Sequence, residues 1–376
     1  MKKTNDNLAT GILTIDLNAI AQNYLSIQTY CHNLDDKAQI SAVIKANGYG
    51  LGMSQVAESL YGAGCRLFYV ATLDEAIELR AQYNDTEIFV LDGLFMGAKS
   101  VYRQHNLIPC LASTTQVKAW AEFGNLPCVL HFNTGINRLG MGLNDYKNIT
   151  AEITGGLNVH HIMSHFASAD WPDDAQNLNQ VAGFELISDH LPQLAHSFGN
   201  SAGIALKELQ NINLKNQNIL RPGVALWGVK TFENYPIDLK SVVALSARVL
   251  QLSTLKAGDM VGYGHLFSAK QSMRTAIIAV GYADGVPRSL SSSTGQDGYF
   301  YFNGKKLPIL GRVSMDMIVV NIDALADGEI NEGDFVEVIG AHISLDMLAT
   351  WADTIAYEIL TSLGKRFLRK YINGKS

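Results

Sequence analysis

The chain has 376 residues, with 29 basic and 35 acidic side chains for a net charge of −6, and 47% of its residues are apolar. The acidic balance argues against a nucleic-acid binder, which carries a basic excess on one face, and the apolar fraction excludes a disordered chain. Charged residues reach only 17%, below the roughly 25% of an average globular chain, so some surface is expected to lie hidden against another subunit.

From the N-terminus, MKKTNDNLATG carries two lysines without the apolar stretch that makes a secretory leader. A strand-like segment at residues 12–17 follows. Eight short apolar runs then recur at intervals of about 20 to 35 residues, the spacing of one strand plus one helix. They are Ile40–Ile44, Leu67–Val70, Glu87–Leu91, Leu107–Leu111, Pro127–Phe132, Val159–His165, Ala195–Phe198 and Asn218–Arg221. Helix-like stretches such as Asp74–Gln82 and Ala175–His190 lie between them. Eight such units over about 230 residues predict an α/β fold, an N-terminal (β/α)8 TIM-type barrel spanning 11–236. An open doubly wound sheet is the competing reading, but no Gly-x-Gly-x-x-Gly turn follows Ile44.

Beyond Pro236 the pattern changes to a mostly β domain, 237–376, which strand 12–17 is free to join. Its strands are Ser241–Leu252, Arg274–Val280, Gly298–Phe302, Met317–Ile322 and Phe335–Ile339, with a hairpin signalled by Asn303-Gly304. A helical stretch covers Leu345–Leu363, and the basic tail from Lys365 is expected to fray. The four cysteines form no C-x-x-C pair, the pattern of reduced thiols in a cytoplasmic protein. No uncharged apolar run reaches the roughly eighteen residues of a membrane span.

Chemistry in such a barrel sits at the C-terminal ends of its strands. Lys45 ends the first strand. A lone lysine there commonly snorkels to the surface, but Gly48, Gly50 and Gly52 leave backbone open to a ligand. A desolvated lysine also forms Schiff bases. Arg138, between two glycines after strand five, suits bidentate capture of a carboxylate. His165 ends strand six. Ser201, after strand seven, has the position of an N-cap or a phosphate contact. Arg221 ends strand eight, and Gly223 beside a short helical run has the makings of an anion site. Tyrosines set among glycines, Tyr263 and Tyr282, mark the β domain together with Tyr357.

These segments resemble the pyridoxal-phosphate-dependent alanine racemase family. AVIKANGYG resembles its lysine motif, and TGINRLGM, SHFASAD, RPGVALWG, VGYGHLF, GYADG, GRVSMDM and IAYEILTSLG follow in the family's order. The resemblance implies an isomerase that interconverts L-alanine and D-alanine through an external aldimine of pyridoxal 5'-phosphate. Lys45 would carry the cofactor and serve as one base; Tyr263 would be the other. Tyr49, Ser201, the backbone of Gly223 and Val224, and Tyr357 would hold the phosphate, with His165 by the ring and Arg221 at the pyridine nitrogen. Arg138 and Met315 would contact the substrate, and Tyr282, Arg288 and Arg312 would line the entrance. Tyr263 and Met315 would cross the interface of a homodimer. No metal, nucleic acid or membrane partner is implied. The family role would be D-alanine biosynthesis for peptidoglycan in the cytoplasm.

One departure bears on Arg138. The family often has a carbamylated lysine seven residues before this arginine; here the position is His131, which cannot become a carbamate. A broader amino-acid or serine racemase on the same scaffold is the alternative that pocket size would decide.

Overall fold

The computed structural model describes residues 6–211, 218–295 and 298–373. It divides into two units, one of Ala19–Lys240 and one that joins Met1–Asn18 to Ser241–Ser376.

The first unit is a parallel barrel. Its ladder runs in sequence order from Ala42–Val43 through Leu67–Val70, Glu87–Val90, Ile108–Leu111, Cys128–His131 and Val159–Met163 to Ala195–Ser197. The eighth strand, Ile219–Leu220, pairs in parallel with Gln39–Ile40, which precedes Ala42. Ser41 and Val43 donate backbone N–H bonds of 2.9 and 3.0 Å to Leu220 and Pro222, and Arg221 donates one of 2.8 Å to Gly199. These bonds close the ring between its first and last strands. Sequences such as LFYV and CVLH are buried along their whole length, as strands covered on both faces must be. Val43, Tyr69, Phe89, Cys110, Val129, Met163 and Ile219 fill the interior.

The longest described helix is Leu17–Leu34, directly after the first strand and outside the helical stretches expected from the sequence. Leu17, Ile20, Tyr24, Ile27 and Cys31 are all buried, and their spacing of three and four residues is the ordinary signature of one helical face. All four cysteines are free and buried. No described helix is long and apolar enough to cross a membrane.

In the second unit, the long strand Val243–Leu255 is the organiser. It pairs antiparallel with Gly11–Asp16, Phe335–Ile339 and Met273–Ile278. The remaining ladder, through Ile318–Asn321, Lys305–Leu310 and Tyr299–Phe302, returns to Phe335–Ile339. Asn303 and Gly304 both have positive φ, 44° and 79°, the geometry of the tight hairpin their sequence signals. Leu345–Leu363 is two helices, Leu345–Trp351 and Ala356–Ser362. Two differences from the sequence reading concern the ends. Residues 11–18 leave the expected 11–236 span and join the β unit, the option left open for strand 12–17, because Gly11–Asp16 hydrogen-bonds to Val243–Leu255. The tail does not fray throughout: Leu368–Ile372 is a strand parallel to Ile12–Asp16, and residues 374–376, like 1–5, lie outside the described residues.

Leu13 is fully buried in that first strand, opposite Leu245. Leu13→Ala is expected to lower stability by about 3 kcal/mol through the cavity it leaves, read from the urea midpoint; an unchanged midpoint would contradict this packing.

Candidate active site

Lys45 follows the first barrel strand and begins a turn of opposite hand to an ordinary helix. Ala46, Asn47, Gly48 and Tyr49 all have φ between 54° and 63°. Three of these are not glycine, and each such residue costs about 1–2 kcal/mol. Local bonds hold the turn. Glu75 Oε1 accepts from the Asn47 N–H at 3.0 Å, and Asn47 Oδ1 accepts from the Met53 N–H at 2.9 Å. The other Glu75 oxygen accepts from Ala71 and Thr72, capping helix Leu73–Arg80. Burial, and then the Arg138 charge, lower the Lys45 pKa. Its amine is therefore freed of its proton more readily than an exposed lysine's.

Tyr49 is buried against Trp227, with ring centroids 5.4 Å apart. A Cβ on Gly223 would collide with the Tyr49 hydroxyl, so only glycine allows this approach. Ser201 Oγ accepts from the N–H groups of Gly223 and Ala225 at 2.8 and 3.2 Å. The hydroxyl thus bridges to the next barrel loop instead of capping its own segment. The first N–H of that segment is taken up by Asn200, whose Oδ1 accepts from Gly203 at 2.8 Å. Ala225 and Asn200 were not singled out from the sequence; a short polar residue ahead of the turn was the available signal for Asn200.

Arg221 is 3% exposed. Its guanidinium donates to Ser197 Oγ and, at 2.5 Å, to the Ser164 carbonyl. Burial lowers its pKa, but a guanidinium stays charged at any ordinary pH. Its charge reaches the histidines around it. Burial, followed by Arg221 and Arg138, pushes His131 down from 6.5 to about 3, and the same causes hold His165 well below its usual value. Both are neutral. Both His131 ring nitrogens are buried without a hydrogen-bond partner, so His131 gives Arg138 no direct support. Asn133 supplies it instead. Its Oδ1 accepts from Gly135 and Asn137 N–H groups at 3.1 and 3.0 Å, and its Nδ2 donates to Asn137 Oδ1 at 3.0 Å. These bonds shape the loop that presents Arg138. Asn200 Nδ2 lies 3.5 Å from His165 Nε2, so that nitrogen serves as an acceptor.

Lys45, Tyr49, Arg138, His165, Ser201, Arg221, Gly223 and Val224 therefore all lie at strand ends of the barrel unit. Tyr263, Tyr282, Arg288, Arg312, Met315 and Tyr357 belong to the β unit. Tyr263 sits in a short turn between Gly262 and Gly264, both with positive φ. The Tyr282 and Met315 segments are joined by N–H bonds of 3.1 Å from Tyr282 to Ser314 and from Ala283 to Met315. Arg366 pins the same pair, donating at 2.8 Å to Asp284 and at 2.7 Å to Asp316. Nothing in the sequence near Arg366 signals that role. Among the described residues, no group of three or more His, Cys, Asp or Glu side chains could hold a metal ion.

The chain matches the family models "Alanine racemase, N-terminal domain" over residues 15–231 and "Alanine racemase, C-terminal domain" over 242–371. It is 40% identical to a catabolic alanine racemase of Agrobacterium fabrum, over 97% of this chain and 92% of that one. It is 37% identical to an alanine racemase of Rickettsia canadensis, over 96% and 98%. Among solved structures, the Bartonella henselae alanine racemase with covalently bound pyridoxal phosphate superposes with a TM-score of 0.88 at 38% identity, covering 97% of this chain and all of that one. A biosynthetic alanine racemase of Pseudomonas aeruginosa gives 0.85 at 29% identity.

Two outcomes follow. Asn47→Val puts a β-branched residue at φ 55° and is expected to destabilise the protein by about 1–3 kcal/mol, with Asn47→Gly milder; unfolding midpoints that match wild type in both variants would contradict the strained turn. His131 binds a proton less readily when folded, so it destabilises the fold as pH falls from about 6.5 toward about 3 and has no effect above that window. His131→Gln should flatten this part of the stability curve, and an unaltered slope would show that the ring is not buried neutral.

Proposed function

Starting from the premise that this chain belongs to the alanine racemase family, we propose that it interconverts L-alanine and D-alanine with pyridoxal 5'-phosphate as its cofactor. The observation that carries this reading is the cluster at the barrel's strand ends: a desolvated lysine, a donor-rich glycine cradle and a buried arginine.

The residues present fit the cofactor. Ser201, the N–H groups of Gly223 and Ala225, and the Tyr49 hydroxyl gather around a glycine that tolerates no Cβ. Donors without a carboxylate suit a phosphate. Val224 and Tyr357 would complete the cradle. Lys45 would be the covalent anchor, His165 would pack beside the ring, and Arg221 would face the ring nitrogen. When bound, the cofactor supplies an electron sink for the carbanion left when the α-proton departs.

Racemisation removes that proton from one face and returns it to the other, most simply with two bases. In this reading Lys45 Nζ serves the D-enantiomer and Tyr263 Oη the L-enantiomer. Arg138 binds the substrate carboxylate bidentately. Arg221 holds its own proton, so facing the ring nitrogen it would donate none to it, a setting that would favour return of the α-proton over elimination or transamination.

Tyr263 and Met315 are 74% and 52% exposed. In the proposed homodimer each completes the barrel site of a second copy, with Tyr282, Arg288 and Arg312 lining the way in. This also accounts for the low charged fraction of 17%. Relatives spanning nearly the whole chain are named alanine racemases, which favours alanine over a broader amino-acid or serine substrate. We propose that the enzyme works in the cytoplasm and supplies D-alanine for peptidoglycan.

The test adds L-alanine to the purified holoenzyme and follows optical rotation. Wild type should racemise it, and Lys45→Ala should lose both the cofactor's visible absorption and the activity. Tyr263→Phe should slow α-proton exchange from L-alanine more than from D-alanine. Equal exchange from both enantiomers in that variant would overturn the two-base assignment.

A further inference from the structure

A line of hydrogen bonds crosses the barrel interior toward Arg221, made by four residues that the proposed reaction does not use. Glu87, at the start of its strand with its side chain about half exposed, has Oε1 3.0 Å from His160 Nε2. His160 Nδ1 lies 2.8 Å from His161 Nδ1, and His161 Nε2 lies 2.8 Å from the Tyr69 hydroxyl. Side chains of consecutive strand residues normally point to opposite faces. Here the pairing skips a residue: Cys128 pairs with Val159 and Val129 with His161. His160 is the extra residue of this bulge, and the bulge brings the two rings together. His161 and Tyr69 are fully buried, and Phe89 packs edge-on against both histidines.

The bonds admit one ordered arrangement when both histidines are neutral. A carboxylate only accepts, so His160 carries its hydrogen on Nε2. His160 Nδ1 is then a bare acceptor, and His161 must donate from Nδ1. His161 Nε2 is bare in turn and accepts from the Tyr69 hydroxyl. Every donor points outward, from Tyr69 toward Glu87. Burial holds the His161 pKa well below its usual value and keeps the ring neutral, as this order requires. At the inner end, the Arg221 guanidinium lies 5.9 Å from the Tyr69 ring centroid, within reach of the ring's negative face. Its hydrogen-bond partners are the Ser197 hydroxyl and the Ser164 carbonyl, neither of them charged.

We propose that Glu87, His160, His161 and Tyr69 form a one-way relay that positions Arg221. The relay fixes the Tyr69 hydroxyl as a donor to His161 and leaves the oxygen's lone pairs as negative potential for a buried guanidinium that has no carboxylate partner among the described residues. These are positioning residues and touch neither cofactor nor substrate. Their effect on catalysis rests on the reading that Arg221 faces the cofactor's ring nitrogen.

Nitrogen-15 NMR of histidine-labelled holoenzyme reads the order directly, with His160→Gln and His161→Gln spectra used for assignment. The expected result is His160 protonated on Nε2 and His161 on Nδ1. A doubly protonated His160, or His161 protonated on Nε2, would overturn the relay. This measurement does not depend on what Arg221 faces, so failure of the relay is distinguishable from failure of the assigned activity. For the coupling, Tyr69→Phe keeps the ring and removes the oxygen; it should lower kcat roughly tenfold with KM within about twofold, and shift the cofactor's visible band. Glu87→Gln, whose amide oxygen still accepts from His160, should stay within about twofold of wild type, whereas Glu87→Leu should reproduce the Tyr69→Phe loss. Equal behaviour of Glu87→Gln and Glu87→Leu, or a wild-type band and kcat in Tyr69→Phe, would refute the coupling.

Discussion

A guanidinium buried at the end of the eighth barrel strand, hydrogen-bonded to a serine hydroxyl and a backbone carbonyl, sets the terms for what surrounds it. Arg221 is 3% exposed. Its field, added to burial, lowers the proton affinity of His131, His161 and His165. The barrel interior therefore holds neutral imidazoles beside a fixed positive charge. Lys45, at the end of the first strand, gains its lowered pKa from the same two influences, desolvation first and then a neighbouring guanidinium, that of Arg138. An anionic cofactor and an amino-acid carboxylate are the ligands that such a mouth would welcome.

Strain is concentrated in the same region. The left-handed turn after Lys45 carries three non-glycine residues at positive φ, and Glu75 anchors it while capping the next helix. The turn that follows the lysine is thus held at Asn47 by a carboxylate from the adjoining βα unit. Backbone strain of this kind persists where the surroundings over-determine it, and it gathers at functional sites. The β unit solves a comparable problem with charge: Arg366 binds Asp284 and Asp316 and ties the Tyr282 and Met315 segments together.

Much of the architecture was legible because parallel strands buried on both faces read as continuous apolar runs, as Leu67–Val70 and Ile108–Leu111 do. The hairpin at Asn303-Gly304 was legible for a different reason, since few other dipeptides accept two positive φ angles. The site lysine and arginines stood out as cations at strand ends. Other features had no local signature. Ala46 and Tyr49 give no hint of a left-handed turn. The bulge at His160 is a property of register, which needs the neighbouring strand. Ser201 reads as a helix cap until its bonds to Gly223 and Ala225 are seen. His131 reads as a gap in support for Arg138, whereas the support comes from Asn133, whose side chain holds the backbone at Gly135 and Asn137 just ahead of it. Leu17–Leu34 did carry its signal, a regular apolar face following directly on a strand.

The account turns on Lys45 as the residue that carries the cofactor. Borohydride reduction of the holoenzyme, followed by proteolysis and mass spectrometry, tests this most directly. The account predicts a single pyridoxyl-modified peptide, the one that contains Lys45. Modification of a different lysine, or none after reduction of an enzyme that holds its visible absorption, would contradict it.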